Sequence, residues 1–406
     1  MQLPDSTTIL QTPAFLKLDL MCRGLVAEEG ASAPQIRRTR AGLGSGLELA
    51  LPQGVRVNAP VVEPFAAASP YRLRRTATGH EIVSLELPDR AGMPVDVAPV
   101  PAFAELLTTT GRPMGRIAVL QGTVLSVYVG PVCGYWTGGE HLQCHFCATG
   151  LNVGTSEEAD KADDEIVEVA IAARRLCGVT FIHLNMGYSA RRETSRIHDL
   201  VRKLRARSGL LIGVQCPPQD DVSAYEALHQ LGVDHLSFCV EFGDPQWFAR
   251  LCPGKDATIG HNAYFDAMAW CAKRFRPGAI SGEIIAGVEP VAATLAAIDR
   301  ITALGAFPTV CVFRPLAGTP MRDEPPPEFA EMFPVFRHLY QQLVARRVPV
   351  GLAPNIHVSI IVTPAEARAF AQPRGFSPAW TAYHTLLAGQ RVAGGLYYRL
   401  RSRQQG

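Results

Sequence analysis

Short apolar runs alternate with amphipathic stretches between residues 116 and 325. Six of the runs are predicted to be β-strands, at 125–129, 180–185, 210–215, 235–241, 280–286 and 309–314. The stretch 163–176 places apolar residues at helical spacing, which predicts a helix with one apolar face formed by Ile166, Val169, Ala170, Ala173 and Leu176. Alternating strands and helices are typical of βα units around a parallel sheet.

Polar residues recur at every second position in three of the predicted strands. They are His235, Ser237, Cys239 and Glu241 in one strand, His183 and Asn185 in another, and Gln215 in a third. A parallel sheet covered by helices on both faces would be apolar on both faces. The pattern therefore favours a barrel with a functional lumen, and satisfied hydrogen bonds inside a packed core are the alternative.

The regions on either side of residues 116–325 differ from them in composition and in hydrophobic periodicity. Residues 1–115 are rich in Pro, Gly and Ala and contain few periodic runs, so we predict an N-terminal extension or cap. Residues 116–325 form the predicted core barrel. Residues 326–406 begin with a predicted helix at 327–346 and a strand-like run at 348–352, and whether this C-terminal region completes the barrel stays open.

Composition narrows the range of functions. The chain has 406 residues, 47% of them hydrophobic, and its 39 Lys and Arg nearly balance its 37 Asp and Glu. There is no global positive field for nucleic acid or an anionic membrane, which favours a small-molecule substrate. No stretch approaches about 18 uninterrupted apolar residues, and no basic segment followed by an apolar one opens the chain, so we expect a cytoplasmic protein.

A cysteine cluster follows the first predicted strand, in the segment CGYWTGGEHLQCHFC, with the spacing Cys133-x10-Cys144-x2-Cys147. Ten cysteines in the chain are too sparse for a disulfide scaffold, so a tight cluster indicates metal binding. Three thiolates leave one iron of a [4Fe-4S] cluster open to another ligand. Zinc is the alternative, because Cys-x2-Cys is half of many zinc sites and His141 and His145 lie nearby. A zinc ribbon normally needs a second such pair, which the sequence lacks elsewhere.

These cysteines resemble the motif of the radical S-adenosylmethionine (SAM) superfamily. The usual spacing there is C-x3-C-x2-C, whereas the first gap here is x10 and Glu140 stands where the first cysteine normally falls. The resemblance implies an α/β fold with a partial or full (β/α) TIM-like barrel. It also implies that Cys133, Cys144 and Cys147 hold a [4Fe-4S] cluster, that SAM binds the open iron, and that Phe146 lies beside the adenine.

Later segments resemble biotin-synthase-like members of the superfamily. Asn185-Met186-Gly187 stands where a Gly-Gly-Glu motif usually holds the SAM amino group, and residues 282–289 and 313–320 resemble the motifs of the fifth and sixth strands. The residues that the resemblance assigns to SAM are Asn185, Gly187, Glu241, Ile285, Leu316 and Ala317. An alternative role for Glu241 is an ion pair with a buried cation such as Arg314.

The function implied by the resemblance is reductive cleavage of SAM to a 5′-deoxyadenosyl radical, which abstracts hydrogen from a small-molecule substrate. An electron donor such as flavodoxin or ferredoxin is implied as a partner. The alternatives are a zinc-stabilised binding module without catalysis and a radical SAM methylase, although no cobalamin-binding domain is recognisable. The sequence assigns no catalytic residue to the chain.

The lumen is expected to contain His183, Gln215, Glu283 and Arg314. A buried arginine there suggests a carboxylate or phosphate on the substrate. A second iron–sulfur cluster at Cys216, Cys239 and Cys311 is a further alternative, although their spacing is not clustered.

Overall fold

The computed structural model describes residues 3–28, 36–38, 44–189, 195–373 and 375–403. The strands of a first, N-terminal sheet are β1 (Val26–Ala27), β2 (Ile36–Arg38), β3 (Ser45–Ala50), β4 (Arg56–Pro60), β5 (Tyr71–Arg75), β6 (His80–Ser84) and β7 (Met93–Val97). Those of a second sheet are β8 (Val119–Gln121), β9 (Val124–Tyr128), β10 (Phe181–Asn185), β11 (Leu211–Gln215), β12 (His235–Glu241), β13 (Ile280–Ala286) and β14 (Phe307–Val312).

The helices are α1 (Ser6–Gln11), α2 (Pro13–Arg23), α3 (Gly134–Thr137), α4 (Thr149–Asn152), α5 (Asp163–Cys177), α6 (Ser195–Arg207), α7 (Ser223–Gln230), α8 (Pro245–Leu251), α9 (Pro253–Thr258), α10 (His261–Ala272), α11 (Val291–Ala303), α12 (Phe329–Arg346), α13 (Arg368–Ala371) and α14 (Pro378–Arg403). Among the described residues, no helix is long and apolar enough to cross a membrane.

The second sheet is a partial (β/α) barrel. Strands β9 to β14 are parallel and lie side by side in sequence order, and β8 adds an antiparallel strand next to β9. Helices lie between successive parallel strands, which is the arrangement that the apolar pattern predicts. The predicted α/β partial barrel is therefore confirmed. All six predicted strands are present, and the last one begins two residues earlier, at Phe307 instead of 309.

Helix α5 shows how the sequence builds the outer layer. Its first turn contains three acidic residues and its last turn two arginines. These charges are opposite in sign to the helix dipole at each end and therefore stabilise the helix. Gly178 ends the helix in the left-handed conformation, at φ 65°. Four members of the predicted apolar stripe are fully buried, namely Ile166, Val169, Ala170 and Ala173. The fifth, Leu176, is 41% exposed, so the apolar face ends one turn earlier than the sequence predicts.

The inner and outer faces of the barrel follow the strand parity read from the sequence. Leu236, Phe238 and Val240 of β12 are fully buried on the outer side. The alternate residues, such as Cys239 and His235, line cavities inside the barrel. Polar side chains therefore occupy a lumen, as the alternation predicts.

The N-terminal region packs against the barrel and the C-terminal region through polar contacts as well as apolar ones. Glu63 pairs with Arg314, with Oε1 to Nε at 2.6 Å. Lys17 is fully buried and pairs with Glu366 at 2.8 Å. The backbone N–H of Asn58 donates to the carbonyl of Ser359. The boundary at residue 115 and the role of residues 1–115 as a cap stay predictions.

The C-terminal region adds helices and an irregular segment, and the described residues beyond β14 contain no strand. The strand-like reading of 348–352 is wrong. Two backbone carbonyls of this segment accept hydrogen bonds from side chains and not from a neighbouring strand. Tyr383 Oη donates to Val348 O at 2.7 Å, and Arg391 Nε donates to Gly351 O at 3.1 Å. The following segment crosses the amino ends of β9 and β10, where the Thr123 N–H donates to His357 O.

Candidate functional site

The carboxyl ends of the parallel strands surround a cavity of about 230 Å³, which we call the upper pocket. Active sites of (β/α) barrels lie at this end. Residues that line it include Tyr128, Asn185, Gln215, Glu241, Ile285 and Val312 from β9 to β14, and Cys133, Cys144 and Cys147 from the loop after β9. The structure therefore brings the three predicted thiols to one cavity.

The loop carrying Cys133 is tied to the loop after β10. Gly134 N donates to Tyr188 O at 2.8 Å, and Tyr188 N donates to Cys133 Sγ at 3.3 Å. The rings of Tyr135 and Tyr188 stack with their centroids 4.2 Å apart. These contacts hold Cys133 beside the pocket although it stands 11 positions before Cys144 in the chain.

Burial raises the pKa of Cys133, and it raises the pKa of Cys147 to about 12. Cys144 differs, because a hydrogen bond from the Cys252 thiol lowers its pKa. All three cysteines are half-buried, and for Cys133 and Cys147 the charged form is unfavourable, so these two thiols need a positive centre to ionise. A bound metal cluster supplies such a centre. The donor set therefore fits the group that the sequence predicts.

Among the described residues, no three His, Cys, Asp or Glu side chains are grouped so that they could hold one metal ion. His141 is exposed. The backbone N–H of His145 donates to the carbonyl of Leu251, at the end of helix α8. In a [4Fe-4S] cluster each thiolate binds a separate iron.

Asn185 ends β10 and is almost completely buried, with 4% of its surface exposed. Its Oδ1 has no hydrogen-bond partner among the described residues. A buried amide oxygen without a partner is costly unless a ligand donates to it. An ammonium group is a suitable donor, so this atom fits the amino group of SAM.

Gly187 has a structural reason to be glycine. A Cβ at this position would lie 2.5 Å from Cys133 Cβ and 2.5 Å from Tyr128 Oη. Its backbone N–H donates to Tyr128 Oη at 3.0 Å. Glycine at this position allows the loops after β9 and β10 to approach each other closely enough to place Cys133.

Glu241 faces the upper pocket, but its partner is not Arg314. Its Oε1 pairs with Lys255 Nζ at 2.5 Å, and the same ammonium donates to Cys239 O at 3.0 Å. The alternative pairing with Arg314 is therefore wrong. A register shift between Cys239 and Glu241 marks a bulge, and Glu241 has φ 67°, which is unusual for a residue with a side chain. Such strain at a strand end accompanies functional sites.

Arg314 is occupied by the chain itself. Its guanidinium donates to both carboxylate oxygens of Glu63, at 2.6 and 2.8 Å, and also to Asn58 Oδ1 and to the carbonyl of Ser45. The carboxylate that a buried arginine suggested is thus Glu63, and the inference of a substrate carboxylate or phosphate at Arg314 is wrong. Sequence reasoning missed this because the partner is 251 residues away in the chain.

The other predicted residues differ in whether they line the upper pocket. Phe146, Ile285 and Leu316 line the upper pocket, and Phe146 also packs edge-to-face on Phe242 with centroids 5.7 Å apart. Ala317 is exposed and does not line the pocket. His183 lines a different cavity, whereas Gln215 lines the upper pocket and Glu283 lines both.

Sequence reasoning also missed Lys255 and Tyr264, which line the upper pocket. Tyr264 is 1% exposed and its hydroxyl has no partner among the described residues. Lys255 belongs to the segment Cys252-Pro253-Gly254-Lys255-Asp256 and lies 14 residues after Glu241, beyond helix α8. The resemblance of this segment to a biotin-synthase-like loop was the available signal. The three cysteines considered for a second cluster, Cys216, Cys239 and Cys311, also line the pocket.

Comparison with known proteins gives partial similarities. No family model matches the chain. Bacteriochlorophyllide c C-7(1)-hydroxylase of Chlorobaculum limnaeum is 31% identical over 111 residues, which are 27% of this chain and 28% of that protein. The match thus spans little more than a quarter of the relative's length.

Two solved structures are similar over about half of the chain. HydG, a maturase of the [FeFe]-hydrogenase, has a TM-score of 0.40 and 14% identity, and the match covers 53% of this chain and 49% of HydG. Coproporphyrinogen III oxidase (HemN) of Escherichia coli has a TM-score of 0.38 and 15% identity over 61% of this chain and 58% of HemN. HemN is described as a radical SAM enzyme.

Proposed function

We propose that this chain is a radical SAM enzyme acting on a small-molecule substrate, with an external electron donor such as flavodoxin or ferredoxin and a cytoplasmic location. The observation that carries the proposal is the meeting of Cys133, Cys144 and Cys147 at one cavity at the carboxyl ends of a parallel half-barrel. That cavity also contains a buried acceptor without a partner, Asn185 Oδ1.

In this proposal the three thiolates hold a [4Fe-4S] cluster and leave one iron for SAM. When bound, the reduced cluster and SAM supply the radical that abstracts hydrogen from the substrate. Asn185 Oδ1 accepts a hydrogen bond from the ammonium group of SAM. Phe146, Ile285 and Leu316 give an apolar wall for the adenine.

The protein also shields the site from water. Asn58 and Pro60 of the N-terminal sheet line the upper pocket, and the pair between Glu63 and Arg314 holds that sheet against the barrel. Excluding water protects a reactive radical from side reactions. The N-terminal region therefore acts in this proposal as a wall of the active site.

The test is iron content after anaerobic reconstitution. We expect close to four irons per chain in the wild type, a figure that follows from the cluster type, and loss of nearly all of them in the Cys133→Ala, Cys144→Ala, Cys147→Ala triple variant. The matched control replaces Cys22, Cys177 and Cys271, which do not line the upper pocket, and should keep its iron. Full iron in the first triple variant would refute the cluster assignment.

Two further readouts separate the alternatives. A brown protein with a broad visible absorbance supports iron–sulfur, whereas a colourless protein with stoichiometric zinc supports the zinc-stabilised module. Formation of 5′-deoxyadenosine under reducing conditions supports hydrogen abstraction, and transfer of a labelled SAM methyl group to a substrate supports the methylase.

A further inference from the structure

A second cavity occupies the amino-terminal half of the barrel, and we call it the lower cavity. Its volume of about 540 Å³ is more than twice that of the upper pocket. Phe181, Leu211, His235 and Phe307, each the first residue of its strand, line it. It therefore lies at the end of the barrel opposite the cysteines, and the proposed function leaves it unused.

The wall formed by the sheet is a group of flat rings. His235 stacks on Phe307 with centroids 5.7 Å apart, and the rings of Phe181 and His183 lie 6.1 and 5.9 Å from His235. His235 Nε2 and Ser281 Oγ form a hydrogen bond of 3.0 Å. Burial lowers the pKa of His235 to about 4, so its ring is neutral at pH 7. This wall therefore offers uncharged aromatic surface.

The opposite wall is aliphatic. Leu352, Ile356 and Val358 line the lower cavity from the segment between α12 and α13. Side chains of the N-terminal region and of the barrel hold this segment in place, since Lys17 Nζ of α2 donates to Val358 O at 2.8 Å and Thr180 Oγ1 donates to Pro354 O at 2.7 Å. Specific hydrogen bonds thus fix the position of this wall of the cavity.

Charged groups at the lower end neutralise one another. Asp234 pairs with Arg401 of α14, whose side chain is 3% exposed, and also with Arg276 at 3.0 Å. Tyr397 Oη and the Ile212 N–H donate to the same carboxylate. Asp234 and Arg276 both line the cavity, and their pairing offsets the charge of each at this end. The third charged lining residue, Glu283, lies where the lower cavity meets the upper pocket.

Protein interiors pack tightly and contain few voids larger than a water molecule. A cavity of this size, lined mainly by apolar atoms, is in the range of small-molecule sites. It is also next to the upper pocket, because Glu283, Cys311 and Ile360 line both. A molecule that extends down the barrel axis would therefore contact both cavities.

We propose that the lower cavity binds an uncharged, apolar part of the substrate whose reacting end lies in the upper pocket. This identification of the substrate class rests on the proposed function, but binding of an apolar molecule to the lower cavity does not require iron or SAM.

The test uses the neutral dye N-phenyl-1-naphthylamine, which becomes fluorescent in apolar surroundings, with the full-length chain. We expect saturable binding, displaced more effectively by straight-chain alcohols as their chain length increases, because longer chains bury more apolar surface. Thr309 of β14 lines the lower cavity and not the upper pocket. Thr309→Phe should place a ring inside the cavity and weaken dye binding by about tenfold or more. Thr309→Val is of nearly equal volume and only replaces the hydroxyl with a methyl group, so it should bind the apolar dye at least as tightly as the wild type.

Ile356→Trp fills the same cavity from the opposite wall and should have the same effect, so the result does not depend on one variant folding. A second measurement needs no variant: long-chain alcohols should raise the melting temperature of the wild type, because a ligand of the folded state stabilises it. Absence of saturable dye binding, equal binding in a folded filled variant, or no rise in melting temperature would overturn the proposal.

The failure of this inference can be told apart from failure of the proposed function. A wild type that binds the dye but holds no iron would refute the radical SAM assignment and keep the apolar site. A wild type that holds its cluster and cleaves SAM but binds no dye would refute the apolar site alone.

Discussion

The ion pair between Glu241 and Lys255 gives the sharpest test of the upper pocket. Glu241→Gln removes the carboxylate charge and keeps the size of the side chain. Both side chains are mostly buried, with 12% of Glu241 and 14% of Lys255 exposed. Glutamine also retains the strained left-handed backbone at this position, so the change in stability reports the lost charge and not the backbone.

The expected loss follows from this burial. Breaking a buried pair by removing one partner costs about 3–5 kcal/mol, because the other charge stays in a poorly solvated site, whereas an exposed pair is worth less than about 1 kcal/mol. The remaining exposure places Glu241→Gln near the lower end of the first range, at about 3 kcal/mol. Chemical denaturation of the apo protein measures it.

A double-mutant cycle with Lys255→Gln isolates the pair. The double variant removes both charges, so it should be less destabilised than Glu241→Gln alone. Asp256→Asn, at an exposed position of helix α9 next to Lys255, controls for the change in net charge and should leave stability nearly unchanged. A loss below about 0.5 kcal/mol in Glu241→Gln would show that the ion pair behaves as an exposed one.

The affinity for SAM decides whether Glu241 also positions the cofactor. A charge-assisted hydrogen bond is worth about 1.5–3 kcal/mol, which corresponds to a loss of affinity of about tenfold to a hundredfold. We expect this loss in Glu241→Gln and not in Asp256→Asn, measured by anaerobic titration of the reconstituted proteins. Unchanged affinity together with a large drop in stability would mean that Glu241 serves only as the partner of Lys255.

Two further predictions concern the barrel ends. Because burial lowers the pKa of His235 to about 4 from 6.5, the unfolded chain binds more protons than the folded one between these values, so stability should decrease as the pH falls through this window. The total effect is about 3 kcal/mol, and equal pH dependence in His235→Gln would contradict it. Gly187→Ala should lower iron content, because its Cβ would lie 2.5 Å from Cys133 Cβ. Gly130→Ala, where the nearest atom would be 3.8 Å away, should keep wild-type iron, and equal content in both variants would show that the close approach is unimportant.

Much of the architecture could be predicted because it depends on local patterns. The period of two in β12 placed Cys239 and Glu241 inward and Phe238 outward, and the structure agrees. The run at 348–352 failed for a physical reason. Apolar residues predict burial, but a strand also needs a free neighbouring edge, and the carbonyl of Val348 bonds to the side chain of Tyr383 instead.

The candidate site was only partly predictable. The cysteines could be identified because metal ligands cluster in the sequence, and the barrel topology then places the loop after β9 at the active end. The partner of Arg314 could not be identified from the sequence, because Glu63 lies 251 residues away in the N-terminal region and no local pattern links the two. Ala317 was assigned from a motif, but the turn carries it outward, where it is exposed.

By itself, the sequence determined the order of strands and helices, the faces of each strand, and the kind of chemistry that Cys133, Cys144 and Cys147 can perform. These depend on residue type and on spacing within one element or one loop. The tertiary structure alone decided which charges meet, as at Glu241 and Lys255, and it alone created the lower cavity, whose walls come from the barrel and from the segment between α12 and α13. Ion pairs and cavities form between segments far apart in the chain, and their geometry exists only after the segments have packed.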